Sequence, residues 1–238
     1  MEHALCISQI ATLLADPKRT AMIWALMDGS AKPSEELAAL AGLSTPSANA
    51  HLARLAAGGL LQVEARGRKR FFRVAAPDVS AAVEALASTT VASVARSLPS
   101  RPVAVLAAPA SMRQARLCQG HLAGELAVAL YQRMRVARWI ERHEQRIDVT
   151  PLGARHLARL GIFTQALAQN CKAPITCDCF DWSEQQPHLG GALGAGLLQL
   201  FMQSGWLKVI NESAALQITE TGRQEIARLA PLPVASAG

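Results

Sequence analysis

The second half of the chain contains two copies of one sequence pattern, and this repeat limits how that half can fold. The first copy includes "HLAGELAVALYQRMRVARWI" and the second includes "HLGGALGAGLLQLFMQSGWL", each with a tryptophan 18 residues after its histidine. Each copy predicts a helix, a turn at the tryptophan, a β-hairpin, a threonine-capped turn and a closing helix. The matching residues of the two copies are His121 and His188, Trp139 and Trp206, Thr150 and Thr219, and Gly153 and Gly222.

This order of elements resembles the back half of a winged helix. We therefore predict that residues 104–238 form a regulatory module of two winged-helix-like repeats, at about 118–163 and 185–230. The hairpin of the second copy, "VINESAALQI", carries no positive charge and is poorly suited to binding DNA. Small residues favour close packing of the two copies about a pseudo-twofold axis, which would bring the two histidines together. These small residues are Gly124, Ala127, Gly190, Gly191, Gly194 and Gly196.

The sequence pattern of residues 1–97 predicts a DNA-binding and dimerisation domain that contains a helix-turn-helix and a hairpin. "KPSEELAALAGLS" indicates a short helix that Gly42 ends, and "TPSANAHLARLAAGGLL" begins a second helix after a tight turn. "LLQVEARGRKRFFRVA" then predicts two strands joined by a basic turn at 66–68. The predicted fold class is mainly α with short β-hairpins, an N-terminal winged helix-turn-helix followed by the tandem repeat.

Positive charge is concentrated in the first two-thirds of the chain, which has a formal net charge of +6. Residues 54–73 contain six basic residues and one acid, and residues 101–160 contain ten arginines and four acids. This distribution favours a double-stranded DNA partner. On the second helix the predicted DNA contacts are Thr45, Ser47, Asn49, His51 and Arg54, and at the hairpin tip they are Arg66, Arg68, Lys69 and Arg70.

Residues 5–95 contain an Asp-Pro-x-Arg segment at 16–19, a His-Leu-x-x-Leu helix at 51–55, a Gly-Leu pair at 59–60, and a hairpin glycine at 67. With these features, this part of the chain resembles the ArsR/SmtB family of bacterial winged-helix repressors. Ala50 stands where the family usually has arginine. The resemblance implies a homodimeric repressor paired through its first and last helices, which correspond to residues 3–15 and 77–98.

The resemblance does not extend to the family's best-known metal sites. "ELAALAG", in the first helix of the helix-turn-helix, has no cysteine, and residues 78–98 contain neither histidine nor cysteine. An effector site is therefore expected in the C-terminal module, where three cysteines lie within the nine residues 171–179. The candidate effector residues are Cys118, His121, Cys177, Cys179, Trp182 and His188.

Four interpretations of these residues remain open from the sequence. Thiolates and imidazoles of Cys118, His121, Cys179 and His188 suit zinc or a soft metal or metalloid. For this interpretation, Cys118 and His121 are expected on one helix face, and His188 is expected to begin the matching helix. A thiol switch would use Cys177 and Cys179, with the resolving thiol supplied by Cys171 or Cys118.

The third interpretation is a small-molecule pocket, and the fourth is a purely structural role for buried cysteines and histidines. In the pocket, Trp182 would form an aromatic wall. The polar residues of that pocket would be His121, His188, Asp181 and Glu184.

The alternative from another class is a protein-interaction module whose winged helix has lost DNA binding, and the basic hairpin tip argues against it. Other classes of protein are disfavoured. No apolar run reaches the roughly 18 residues that span a bilayer, and the N-terminus lacks the pattern of a secretory signal, so a cytoplasmic location without membrane binding is expected. In a reducing compartment, cysteines are expected to be free, metal-bound or redox-active. Cys118–His121 or Cys179–His188 alone is weak evidence for a nucleophile and its base, so no enzymatic activity is predicted.

Overall fold

The computed structural model describes residues 2–97, 109–143, 146–170, 174–210 and 213–230. Cys171 lies outside the described residues, and so does the predicted linker at 97–103 except for Ser97. No helix in the described part of the chain is long and apolar enough to cross a membrane.

The first ninety-seven residues contain a winged helix-turn-helix, which confirms the fold predicted for this part. Helices α3 and α4 form the helix-turn-helix, and strands β2 and β3 form the hairpin, or wing, in a three-stranded sheet of order β1-β3-β2. The elements are α1 (Glu2–Leu14), α2 (Pro17–Trp24), β1 (Lys32–Pro33), α3 (Ser34–Ala41), α4 (Thr45–Ala57), β2 (Leu61–Arg66), β3 (Lys69–Val74) and α5 (Pro77–Ser97).

Local sequence explains the boundaries of these helices. Asp16 caps α2, because its side chain accepts hydrogen bonds from the backbone N–H groups of Lys18 and Arg19. Gly42 ends α3 with a φ of 62°, a left-handed conformation that glycine adopts without strain. Ala48, Leu52 and Leu55 form the buried face of α4.

The rest of the described chain consists of short helices and two-stranded antiparallel sheets. A hairpin, a helix, a second hairpin and a second helix occur in this order twice, from β4 to α8 and from β8 to α11. The elements are α6 (Ala110–Gln114), β4 (Arg116–Cys118), β5 (His121–Ala123), α7 (Glu125–Val136), β6 (Ile140–His143), β7 (Arg146–Val149), α8 (Pro151–Arg159), α9 (Thr164–Asn170), β8 (Cys177–Phe180), β9 (Pro187–Gly190), α10 (Gly191–Gln203), β10 (Leu207–Val209), β11 (Leu216–Ile218) and α11 (Glu220–Arg228).

Each copy begins with a hairpin, whereas the sequence predicted the start of a helix there, at "CQGHLAG" (118–124) in the first copy. The turn residues Gln119 and Gly120 both have positive φ, of 49° and 88°, as in the tight turns that join two antiparallel strands. Gly124 has a φ of 92°, which is outside the range of a right-handed helix, so α7 begins after this residue. His121 therefore lies in a strand, and so does His188, which was expected to begin a helix. That each copy resembles a winged helix stays a prediction.

Equivalent hydrogen bonds occur at the second hairpin of both copies. The Thr150 hydroxyl accepts from the Gly153 N–H at 2.9 Å, and the Thr219 hydroxyl accepts from the Gly222 N–H at 3.0 Å. A Cβ atom on either glycine would collide with the carbonyl oxygen of the repeat's tryptophan. Each glycine thus lets its helix pack directly against the backbone of the tryptophan turn.

Gly153→Ala and Gly222→Ala are each expected to destabilise the protein by about 1–3 kcal/mol, because the methyl group forces the helix away from the turn. Gly196→Ala is the matched control, since it lies in α10 and a Cβ atom there meets nothing within 4 Å. That control is expected to gain about 0.5–1 kcal/mol from helix propensity. Urea unfolding measures all three; a gain at Gly153 or Gly222 would contradict the close packing.

Two hydrophobic cores hold the described residues together. One is built from the two repeats and includes Tyr131, Trp139, Leu193 and Phe201. The other belongs to the winged helix, but Met112, Trp182 and Ala215 from the second half are also buried in it. The repeat module therefore docks on the winged helix through buried side chains.

Candidate functional site

Four side chains from the first hairpin of each repeat meet in the interior. Cys118 pairs with His121 across β4 and β5, and Cys179 pairs with His188 across β8 and β9. The two hairpins face each other, so each residue lies next to its counterpart in the other copy. We call Cys118, His121, Cys179 and His188 the Cys₂His₂ cluster.

The geometry of the Cys₂His₂ cluster matches a tetrahedral ligand set. The two Sγ atoms are 3.9 Å apart, the two Nε2 atoms are 3.1 Å apart, and all four ligand atoms lie within 4.8 Å of one another. In a tetrahedral zinc site the two sulfurs are about 3.8 Å apart and the two nitrogens about 3.3 Å apart, as follows from Zn–S of about 2.3 Å and Zn–N of about 2.0–2.1 Å. The cluster can therefore hold a zinc-sized ion with small shifts.

Burial shields this cluster from bulk water. Cys118, His121 and His188 are buried, and Cys179 is half-buried. The contact with Cys179, together with burial, raises the pKa of Cys118 to about 12, whereas the contact with Cys118 lowers the pKa of Cys179. The two thiols are therefore unequal in acidity, and either sulfur can donate in the contact between them.

Asp181 lies behind His188, on the side away from the other ligands. Its Oδ2 atom is 3.7 Å from Nδ1 of His188, and that buried nitrogen has no hydrogen-bond partner. Burial favours the neutral acid, but the Arg116 guanidinium and the N–H groups of Gly124 and Glu184 lower the pKa of Asp181 below its usual value. Carboxylates in this position commonly orient metal-binding histidines.

Two predicted effector residues lie outside the cluster. Cys177 precedes Cys179 by two residues on β8 and pairs with Gly190, so it lies further along the hairpin than the four ligand atoms. Trp182 was expected to form the wall of a pocket, but it is buried with only 1% of its surface exposed. Its ring packs edge-on against Trp24 at 4.5 Å between centroids, in the core of the winged helix. Trp182 is therefore part of a hydrophobic core in this structure, and its position gives no support to the predicted tryptophan-lined pocket, which stays a prediction.

The polar residues assigned to that pocket also have other partners. Asp181 accepts a hydrogen bond from the Gly124 N–H at 2.7 Å and forms an ion pair with Arg116 at 2.9 Å. The N–H of Glu184 donates to Asp181 at 3.0 Å, within the turn that follows β8. These contacts fix the loop between β8 and β9 instead of leaving its polar groups to a ligand.

One fully buried charged group of this region, the guanidinium of Arg116, was not predicted from the sequence. Arg116 is fully buried, forms an ion pair with Glu84 of α5 at 2.5 Å, and lies 4.2 Å above the Trp182 ring. Burial raises the pKa of Glu84, although the nearby arginine opposes this effect. One signal was present: Arg116 begins the first hairpin, two residues before a ligand cysteine. Its partners lie 32 and 65 residues away along the chain, at Glu84 and Asp181.

The predicted DNA-contacting residues of α4 are not equally accessible. Asn49 and Arg54 are exposed, whereas Thr45 and Ser47 are half-buried. His51 turns toward the N-cap of α2, with its Nδ1 atom 3.6 Å from Oδ2 of Asp16. The exposed face of α4 therefore offers Asn49 and Arg54 as its long polar side chains.

The wing presents its basic residues to solvent. Arg66, Arg68, Lys69 and Arg70 are all exposed around a turn that begins at Gly67. Arg66 donates a hydrogen bond to Glu64 at 2.7 Å, which offsets part of its charge. Within the described residues, no ion pair involves the other three. These three cations are the strongest candidates for phosphate contacts.

Comparison with known proteins identifies a relative over almost the whole chain. The chain is 32% identical over 217 residues to the uncharacterized HTH-type transcriptional regulator YdfF of Bacillus subtilis (strain 168). The match covers 91% of this chain and 93% of that protein. No protein-family model matches the chain.

Several solved structures are similar to part of this chain. The homodimeric winged helix-turn-helix DNA-binding domain of Mb0332 from Mycobacterium bovis, a possible ArsR-family regulator, matches with a TM-score of 0.36 and 22% identity, covering 43% of this chain and 94% of its own. The transcriptional repressor BigR from Xylella fastidiosa matches with a TM-score of 0.34 and 18% identity, covering 37% of this chain and 89% of its own. Reduced HlyU from Vibrio cholerae has a TM-score of 0.33 and 22% identity, covering 36% and 88%.

Proposed function

Because the chain belongs to the HTH-type transcriptional regulators, we propose that it is a repressor of the ArsR type that responds to a metal ion bound by its Cys₂His₂ cluster. The observation that carries this proposal is the position of four ligand atoms within 4.8 Å of one another. The ion is zinc or a softer thiophilic ion, since two thiolates and two imidazoles suit such metals. Metal binding releases the repressor from its operator.

The proposed repressor is a homodimer that pairs through α1 and α5. Large apolar side chains are exposed on both helices, with 70% of Ile7 and 58% of Leu86 accessible. A dimer has two DNA-binding domains, and their α4 helices enter the major groove at half-sites about one helical turn apart. Asn49 and Arg54 supply the base and phosphate contacts of α4 in this arrangement, supported by Thr45, Ser47 and His51.

In the proposed DNA complex, the wing contributes phosphate contacts through Arg66, Arg68, Lys69 and Arg70. Each phosphate neutralised by a cation releases counterions, so affinity for DNA falls with salt at a slope of about 0.9 per contact. Among the residues that the structure describes, three cations of the hairpin tip have no carboxylate partner, which supports this role.

Arg68→Ala combined with Arg70→Ala is expected to weaken binding to all DNA sequences by a similar factor and to reduce the salt slope by about 2. Fluorescence anisotropy over a series of salt concentrations measures both quantities. Arg223→Ala combined with Arg228→Ala in α11 is the matched control and is expected to leave the slope unchanged. An unchanged slope in the wing variant would show that the wing does not contact phosphates.

Four protein ligands around one ion leave no open coordination position. Catalytic zinc sites keep such a position for water or substrate, whereas closed sites bind the ion for structural or regulatory purposes. The composition of the Cys₂His₂ cluster thus supports metal binding without catalysis. This agrees with the proposed role as a regulator rather than an enzyme.

A thiol switch at the same cluster is the second candidate, because the Cys118 and Cys179 sulfurs are only 3.9 Å apart. Two thiols and one molecule of hydrogen peroxide yield a disulfide, with an S–S bond of about 2.05 Å, and two molecules of water. This pair is among those that the sequence allowed, with Cys179 as the oxidised thiol and Cys118 as the resolving thiol. A thiol count and DNA affinity measured before and after peroxide treatment of the zinc-free protein test this candidate.

A further inference from the structure

We infer that Arg116 and Glu84 couple the Cys₂His₂ cluster to α5, so that metal binding alters the DNA-binding domain through buried charges. This inference rests on the proposed function, since it concerns how occupancy of that site is transmitted. Arg116, Asp181, Glu84 and Trp182 are named here the Arg116 cluster. All four side chains are buried, with at most 4% of any of them exposed.

The first contact joins the metal ligands to the Arg116 cluster. When Nε2 of His188 binds a metal ion, its ring proton resides on Nδ1 and that nitrogen becomes a hydrogen-bond donor. The nearest carboxylate is Oδ2 of Asp181, at 3.7 Å, which a small movement brings within hydrogen-bond distance. Metal binding therefore adds a partner to the Asp181 carboxylate.

The second contact passes from Asp181 to Arg116. The same Oδ2 atom already lies 2.9 Å from Nη2 of Arg116 and accepts from the Gly124 N–H at 2.7 Å. A further donor to this oxygen competes with the guanidinium. Because these side chains are buried and bond to one another, a change in the position of one partner must be compensated by the others.

The third contact reaches the winged helix. Nε of Arg116 donates to Oε1 of Glu84 at 2.5 Å, and Nε1 of Trp182 donates to the same oxygen at 3.2 Å. Glu84 lies in the middle of α5, and Trp182 packs on Trp24 of α2. The guanidinium thus connects a carboxylate beside the metal ligands to a carboxylate in the last helix of the winged helix.

The position of Glu84 on α5 gives this connection a consequence for DNA binding. Glu84 faces the repeat module, whereas Leu86, two residues later, is exposed on another face of the helix. In the proposed dimer that exposed face contacts the second copy. A shift of α5 driven by the Arg116 cluster therefore changes the spacing between the two DNA-binding domains of the dimer. An effector must alter this spacing to change the affinity for DNA.

Glu84→Gln tests this coupling, because it removes the charge while keeping an oxygen that can accept from Trp182. The measured quantity is the ratio of DNA dissociation constants with saturating zinc and with zinc removed by a chelator. For the wild-type protein this ratio is expected between about 5 and 150, the usual range of allosteric coupling. For Glu84→Gln it is expected near 1, with one zinc still bound per chain. Glu220→Gln, an exposed acid on α11, is the matched control and keeps the wild-type ratio.

Arg116→Lys is the second variant, because lysine retains the charge but cannot reach both carboxylates in the fork geometry of arginine. It is expected to show the same loss of coupling if circular dichroism reports a folded protein. A wild-type ratio in a folded Glu84→Gln or Arg116→Lys variant overturns the inference and leaves the proposed function standing. If zinc does not change the DNA affinity of the wild-type protein, the proposed function is overturned, and this inference is overturned with it.

Discussion

His188→Ala is expected to abolish stoichiometric zinc binding, reducing the metal content from one ion per chain to a trace. His188 supplies one of four ligands, and its removal leaves three donors in a closed, buried site that cannot recruit bulk water easily. Changing a residue that only orients a ligand typically weakens metal affinity by about 10- to 100-fold. Loss of a ligand itself should exceed that range. Metal analysis after dialysis and competition with a chromogenic chelator measure both stoichiometry and affinity.

Cys177→Ala is the matched control for this loss. Cys177 lies on the same strand as Cys179 and is a free cysteine, yet it is not among the four clustered ligands. It is therefore expected to bind zinc with wild-type stoichiometry, whereas Cys179→Ala behaves like His188→Ala. Equal metal content in all three variants would show that zinc binds elsewhere in the chain.

Arg116→Met is expected to lower the free energy of unfolding by about 3–5 kcal/mol, the usual cost of removing one partner from a buried ion pair. The variant leaves Glu84 and Asp181 buried without their common cation. Arg146→Met is the matched control because the Arg146 side chain is 82% exposed, although it too has a carboxylate partner. That control is expected to change stability by less than about 0.5 kcal/mol.

The charge explanation for Arg116→Met has a further test. Adding Glu84→Gln and Asp181→Asn to the variant removes both uncompensated charges, so most of the lost stability is expected to return. Denaturant unfolding followed by circular dichroism compares the single and triple variants. A triple variant as unstable as the single one would assign the loss to packing around the guanidinium instead of to charge.

The repeat made part of the candidate site predictable from the sequence. The correspondence of His121 with His188 placed both near a pseudo-twofold axis, and their Nε2 atoms are 3.1 Å apart. The order of helix, tryptophan turn, hairpin and helix followed from the spacing of Trp139 and Gly153 and their counterparts. Periodicity and glycine positions similarly predicted the helix-turn-helix and wing, because those signals are local in sequence.

The rest of the site depends on contacts that are distant in sequence. Two residues separate Cys118 from His121, but eight separate Cys179 from His188, and this longer loop hides the match between the two hairpins. Trp182 lies in that loop and inserts into the winged-helix core, a partner that no local pattern identifies. Helix starts were predicted at the histidines because short apolar stretches fit a strand or a helix equally well.

The zinc coordination shell, measured by X-ray absorption on the zinc-loaded protein, tests the central claim most directly. The account predicts two sulfur ligands at about 2.3 Å and two imidazole nitrogens at about 2.0–2.1 Å. Such a shell has one source among the described residues, the Cys₂His₂ cluster. A shell made only of oxygen and nitrogen, or a protein that does not retain zinc at all, would contradict the account.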